Sequence, residues 1–552
     1  MNSEMQGTCE SVLWGLSVGW LVVAVAAADS LLRGLRNGER KQNLRLFALF
    51  AGSVLLRLGM ATWGPGNDQF RYQNVFAGNG FAKSWQPTFC DEHLGSAPLA
   101  LWHWVMQILP ATDTTIISFV LFFGALAPLL LTLVLLGLRA TPLAAYGAGL
   151  LLAIHPVAVR FSGDMSRTPV ALALGLLALY LLTLHRREGR ILPLLGFATA
   201  VWLSARSRPE GGMVLVVAGI LVLVLHTESW RSVRTAAFWR EAAALLLAAV
   251  LAVGNLVIAS HMQPAIAKNV GEIFQRLSPS LFTPRLALWL DPGYTSLATI
   301  ALAAIGVSVA FRSSLARHRR IAAWALASLV LATLMRPSGP SHQLILVYAR
   351  YQWLQIVFFC VLAALGVQEI LERSQQRWGQ RGQVTAGALL AIGVLGGNVD
   401  PLLNVCRPIT IDQEYHFLAK TLPTLPSCAV IYRPFDPAVD LSGGFRDTDL
   451  LAAHFGRQPW RTWPPDPKDG ACVRYFYRSP DCYVTPAYVM RDYPQSLFVL
   501  KNCAQGIHRT SARPRKVTQV DGRRWGPETY VLNRFEIGFY EIALPAEVSS
   551  TR

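Results

Sequence analysis

Several acids and arginines stand where their type and spacing could do chemistry. Asp68 lies in Asn67-Asp68-Gln69-Phe70-Arg71-Tyr72, just beyond an apolar run. A carboxylate held half-buried at such a boundary can accept a proton from a hydroxyl, although the same residue could simply cap a following helix. Asp164 closes His155-Pro156-Val157-Ala158-Val159-Arg160-Phe161-Ser162-Gly163-Asp164 and precedes another apolar run, where a carboxylate is also favoured by the helix dipole. Arg206, Arg208 and Glu210 share the short stretch Ala205 to Gly212. That stretch is too tight to disperse its charges into a long hydrated loop, so they need partners. A guanidinium fork suits a phosphate, and an Arg–Glu pair closing a helical hairpin is the structural alternative. Arg336 in Met335-Arg336-Pro337 and Arg350-Tyr351 at the head of a long apolar run repeat the pattern; an arginine there either pairs with an anion or snorkels to the interface. Glu92-His93 could contribute to a divalent metal site together with a distant histidine such as His261 or His342.

These residues must be positioned by a membrane bundle. The chain has 552 residues, 53% hydrophobic and 15% charged, a balance far too apolar for an ordinary water-soluble domain. Stretches of about 20 apolar residues can span a bilayer. About twelve of them occur, near 11–28, 44–62, 114–138, 142–159, 168–184, 191–204, 212–226, 241–260, 295–311, 320–335, 344–367 and 384–398. The first follows Glu4 and Glu10 with no basic segment before it, so it is expected to be a helix of the bundle and not a cleaved signal. Basic connectors alternate with sparsely basic ones: Arg33/Arg36/Arg40/Lys41, Arg139, Arg186/Arg187/Arg190, Arg231/Arg234/Arg240, Arg312/Arg317/Arg319/Arg320 and Arg373/Arg377/Arg381. By the positive-inside rule, these mark the cytoplasmic side. The long loop 63–113 and the tail then lie outside, and the basic excess reflects membrane orientation, with no nucleic acid implied.

The expected organisation is an all-α bundle over 1–400 followed by a small α/β domain over 401–552. Alternating segments at Cys472 to Tyr477 and Phe535 to Ile542 read as strands, and Gln413 to Leu422 as a helix. Cys406, Cys428, Cys472, Cys482 and Cys503 cluster in this tail without a CxxC spacing, which points to disulfides in an oxidising compartment. Cys472 and Cys482 are the expected pair, since their spacing suits a hairpin.

The order of these features resembles the GT-C glycosyltransferases, which include protein O-mannosyltransferases and the aminoarabinose transferases that act on lipid A. In that superfamily an acidic motif follows a membrane helix, and a Pro-Pro-Leu with an aromatic comes some thirty residues later. Asp68-Gln69 and Ala97-Pro98-Leu99 with Trp102 match in order and spacing, with Gln69 and Ala97 departing from the pattern. Asp164, the Arg206–Glu210 turn and Arg350-Tyr351 resemble later family segments. The resemblance implies inverting transfer of a sugar from a polyprenyl-phosphate donor to a periplasmic lipid, glycan or protein at a bacterial inner membrane. It makes Asp68 and Asp164 the catalytic residues, places Arg206, Arg208, Glu210, Arg336, Arg350 and Tyr351 around the substrate, and allows a divalent metal at Glu92 and His93. A transporter or flippase of a lipid-linked or anionic solute could use the same arginines along a pathway, and a non-catalytic envelope assembly protein could carry the same tail.

Overall fold

A computed structural model describes residues 3–37, 39–63, 97–110, 112–163, 167–225, 235–262, 294–313, 315–334, 353–406, 410–433, 458–462, 468–478, 497–511, 518–520, 523–525 and 530–543. The chain divides into two compact units, one of residues 1–61, 88–110 and 115–407, the other of residues 62–87, 111–114 and 408–552.

The first unit is helical. Its described elements are α1 (Ser3–Asn37), α2 (Arg40–Met60), α3 (Ala97–Val105), α4 (Asp113–Gly137), α5 (Pro142–Ile154), α6 (Pro156–Ser162), α7 (Thr168–Glu188), α8 (Ile191–Ser207), α9 (Pro209–Leu225), α10 (Ala236–Met262), α11 (Leu297–Arg312), α12 (Ala316–Leu334) and α13 (Trp353–Val405). Among the described residues, helix falls within each apolar stretch singled out in the sequence. Among the described residues, five helices are long and apolar enough to cross a membrane, six if α5 and α6 count as one broken span. Their surfaces keep large apolar side chains exposed, Leu21, Phe47, Leu55 and Leu389 among them. Lipid is the solvent in which such exposure is stable, and the chain is a multi-pass membrane protein.

Two breaks have local causes. Pro156 cannot donate to the ladder and pushes the residue before it out of the helical region; His155 is extended (φ −65°, ψ 121°) and the span bends by 59° there. Gly379 has φ 68° inside α13, a left-handed conformation natural to glycine. A methyl at Gly387 would touch Leu371 at 3.7 Å, so the two halves of α13 fold back on one another around this turn. The first half is the core of the bundle, with every residue from Trp353 to Leu365 buried. It is crossed closely by α11, where Cβ atoms built on Gly306 and Gly366 would fall 1.8 Å and 2.0 Å from the carbonyls of Leu362 and Leu302, a small-residue crossing of the kind membrane helices use.

Polar contacts sort to the two ends of the bundle. Arg190 meets Asp29 at 2.7 Å, Arg186 meets Glu241 at 3.4 Å, and Thr141 donates to Gln368 at 2.7 Å while Gln368 faces His318 at 3.1 Å. These residues belong to, or lie within a few turns of, the basic connectors.

The second unit contains α14 (Thr410–Thr421) and strands β1 (Val430–Arg433), β2 (Trp460–Thr462), β3 (Arg474–Arg478), β4 (Leu497–Ser511), β5 (Thr518–Val520), β6 (Arg523–Trp525) and β7 (Tyr530–Ala543). Five strands form a mixed sheet in the order β2-β1-β3-β7-β4, parallel between β1 and its two neighbours and antiparallel elsewhere; β5 and β6 form a separate ribbon. Helix and strands at 410–421, 474–478 and 530–543 fall where alternation indicated them. The expected cysteine pairing needs correcting, because Cys472 is bonded to Cys428 and not to Cys482, which lies outside the described residues. The bond joins the starts of the parallel neighbours β1 and β3, whose backbones also meet through Cys472 N–H to the Cys428 carbonyl. Cys406 is buried in the first unit, its thiol donating to the Pro156 carbonyl at 3.8 Å.

Candidate functional site

The end of the bundle opposite the basic connectors gathers the described parts of the expected site. Arg208 falls between α8 and α9, buried, and its Nη2 donates to Thr168 Oγ1 at 3.0 Å at the start of α7. Thr168 and Pro169 open that helix, with proline in the first turn where its missing N–H is harmless. Arg206 is half-buried two residues back, in the last turn of α8. Gly211, in the first turn of α9, lies so close to Trp353 that a Cβ there would approach the indole to 2.3 Å. The turn expected to carry phosphate ligands is therefore packed against the heads of α7 and α13.

Ser162 and Phe161 of α6, Thr168 and Leu172 of α7, and Trp353 and Ile356 of α13 line one small, mainly apolar crevice. Gly163 and Arg167 flank Asp164 in sequence, and Trp353 follows Arg350-Tyr351. Asp68, Glu92, His93, Asp164, Arg336, Arg350 and Tyr351 themselves lie outside the described residues, and of Glu210 the helical backbone alone is described. Among the described residues no group of three His, Cys, Asp or Glu could hold a metal ion.

Ala97-Pro98-Leu99 and Trp102 are buried in α3. Trp20 Nε1 donates to the Ala97 carbonyl at 2.9 Å, and the Trp102 ring packs edge-on against Phe119 at 5.5 Å. This motif fastens the distal end of the first loop against α1 and α4.

The sequence reading missed Arg57. It lies in α2, 1% exposed, with Nε donating to Ser162 Oγ at 3.1 Å and Nη1 to Ser53 Oγ at 2.5 Å and the Ala153 carbonyl at 3.1 Å. A signal was present: Ser53 and Arg57, four apart, put two polar groups on one face of an apolar run. Arg160 and Arg167 are likewise buried beside the crevice-lining residues, so this end of the bundle is rich in guanidinium groups as well as apolar surface.

No family model and no curated protein matches the chain. Similar solved structures include the oligosaccharyltransferase of Archaeoglobus fulgidus, in a complex with Zn and sulfate (12% identity, TM-score 0.44, covering 75% of this chain and 62% of that one). They also include ArnT from Cupriavidus metallidurans bound to undecaprenyl phosphate (13%, TM-score 0.46, 89% and 97%) and the mycobacterial arabinofuranosyltransferase AftD (16%, TM-score 0.43, 91% and 41%). The chain thus spans less than two thirds of the length of the oligosaccharyltransferase.

Proposed function

We propose that the protein is a GT-C membrane glycosyltransferase that moves a sugar from a polyprenyl-phosphate donor to an acceptor on the periplasmic side of a bacterial inner membrane. The observation that carries this reading is the convergence on one crevice of Ser162, two residues before Asp164, Thr168, hydrogen-bonded to Arg208, and Trp353, three residues after Arg350. An apolar lining with buried arginines beside it matches the chemistry of a hydrocarbon chain that carries an anionic head.

In this mechanism Asp68 takes the proton of the acceptor hydroxyl as its oxygen bonds to the anomeric carbon from the face opposite the phosphate. The carbon–oxygen bond to the phosphate breaks, the configuration inverts, and the lipid phosphate leaves with the electron pair. Arg206, Arg208 and Arg350 stabilise the charge that develops on that phosphate. Glu210, Arg336 and Tyr351 help hold the donor, and Asp164 orients the acceptor or assists Asp68. About twelve spans and an outside tail complete the topology. The disulfide Cys428–Cys472 supports an oxidising compartment for the tail, where nucleotide sugars are scarce and a lipid carrier is the sensible donor. If a divalent metal serves the site, Glu92 and His93 are its proposed ligands.

The broken span at His155 favours a second reading, a transporter of a lipid-linked solute, because interrupted helices mark many transport sites. Purified protein given labelled polyprenyl-phosphate sugars and an envelope extract separates the two. Label appearing on a lipid, glycan or protein by mass spectrometry supports the enzyme. Label that crosses a vesicle membrane while remaining on its carrier supports the transporter.

A further inference from the structure

A buried cation in the bundle with neutral groups around it needs a reason. Among the described residues, the groups that bond to Arg57 are hydroxyls and carbonyls: Ser162 Oγ, Ser53 Oγ, and the backbone oxygens of Ser53 and Ala153. Burying a guanidinium on such terms is costly, and an apolar side chain of similar length would avoid the cost. The partners show what the charge does. Ala153 belongs to the last turn of α5, where the break at Pro156 leaves carbonyls without helical N–H partners; a cation there also complements the negative end of the helix dipole. Ser162 is the last residue of α6, and its hydroxyl accepts from Arg57 while donating to the Ala158 carbonyl at 2.7 Å. One guanidinium thus grips both halves of the bent span.

The packing leaves no slack around this grip. A Cβ at Gly124 would lie 2.0 Å from Ser162 Oγ and 3.4 Å from Arg57 Nε, and one at Gly163 would lie 2.7 Å from the Ala61 Cα atom. Helix α4 closes on the Ser162 side chain, and Ala61, just past the end of α2, closes on the Gly163 backbone.

We infer that Arg57 is a positioning residue, a clamp that fixes the bend between α5 and α6 and thereby the point from which the chain runs through Gly163 to Asp164. Its link to catalysis rests on the glycosyltransferase reading; the clamp does not.

The test compares wild type, Arg57→Lys, Arg57→Met and Ser162→Ala as full-length purified protein. Each is also made with Asp164→Cys, and separately with Arg381→Cys as a reporter exposed near the Gly379 turn. Maleimide labelling is quantified at each site by peptide mass spectrometry. Arg57→Met should change the labelling rate at 164 at least fivefold and leave that at 381 alone, with Arg57→Lys returning it towards wild type. In the variants that retain Asp164, kcat should fall at least tenfold in Arg57→Met, with the donor KM within about threefold, and recover in part in Arg57→Lys. Where Arg57→Met does not accumulate, Ser162→Ala, which removes one bond of the grip, should move the rate at 164 in the same direction. Unchanged labelling at 164 in every variant that accumulates would overturn the clamp. Absence of sugar transfer by the wild-type protein would instead sink the enzymatic reading and leave the labelling result to decide the clamp.

Discussion

The Tyr415 hydroxyl of α14 donates to the Asp113 carboxylate at 2.5 Å, and the adjacent His416 ring meets the Thr62 carbonyl at 2.8 Å. Thr62 and Asp113 bracket the long loop expected to carry Asp68, and both belong with α14 to the second compact unit. The tail helix therefore ties the two ends of that loop together.

Tyr415→Phe removes the hydroxyl and leaves Asp113 without that donor. A hydrogen bond to a charged group contributes about 1.5–3 kcal/mol, so the variant should lower the stability of the second unit by that order. Thermal unfolding followed by a tail-specific probe checks this, and an unchanged midpoint would show that the tie contributes nothing.

Gly124→Ala should destabilise the bundle, because the added carbon meets the compact Ser162 side chain at 2.0 Å and a helix must shift to admit it. Overpacking of this kind costs about 1–3 kcal/mol. Gly15→Ala is the matched control: nothing lies within 4 Å of its Cβ position, and alanine is the better helix former by about 1 kcal/mol. Detergent-phase thermal stability should fall for the first and hold or rise for the second.

Cys428 and Cys472 close a loop with a sequence separation of 44. The chain-entropy model gives such a crosslink about 4 kcal/mol of stabilisation. Non-reducing peptide mapping should recover the two peptides joined. The double variant Cys428→Ser, Cys472→Ser should unfold its tail at markedly lower denaturant than wild type under oxidising conditions and no differently under reducing ones.

Asp469 is enclosed next to that disulfide. Burial alone would raise its pKa, but hydrogen bonds from Arg474, Tyr432 and the Ala471 N–H outweigh it, and the carboxyl titrates below the usual value. A carboxylate depressed in the folded state stabilises the fold above its unfolded pKa of about 3.9, and that contribution is lost as the pH falls through the folded value. Tail stability should therefore decline below about pH 4. Asp469→Asn should be less stable at neutral pH and show a flatter decline in that acid window.

The bundle was legible because a bilayer imposes length and hydropathy on every span, and because basic connectors mark one end. The strands at 474–478 and 530–543 were legible from alternation. Pairings between distant segments were not. Cys428 and Cys472 meet because β1 and β3 are parallel neighbours joined through a long crossover, which residue spacing does not reveal. Arg57 looked like one charge at the edge of an apolar run, since its partners Ala153 and Ser162 lie about a hundred residues away and come to it only through the break at Pro156. Arg208 reads in the sequence as a charge needing a partner, but that Thr168 is one of its partners is a product of packing.

The central claim is that Asp68 performs proton transfer while the arginines hold the donor phosphate. Asp68→Asn keeps the side chain's size and removes its capacity to accept a proton, whereas Arg208→Ala removes positive charge beside the crevice. Sugar transfer from a labelled polyprenyl-phosphate donor, measured alongside donor binding for wild type and both variants, is the most direct test. Loss of a general base costs about 10²- to 10⁴-fold in rate, so Asp68→Asn should bind donor like wild type yet transfer at no more than about a hundredth of its rate, while Arg208→Ala should bind more weakly. Transfer by Asp68→Asn above roughly a tenth of the wild-type rate, well outside the range for a lost base, would contradict the account.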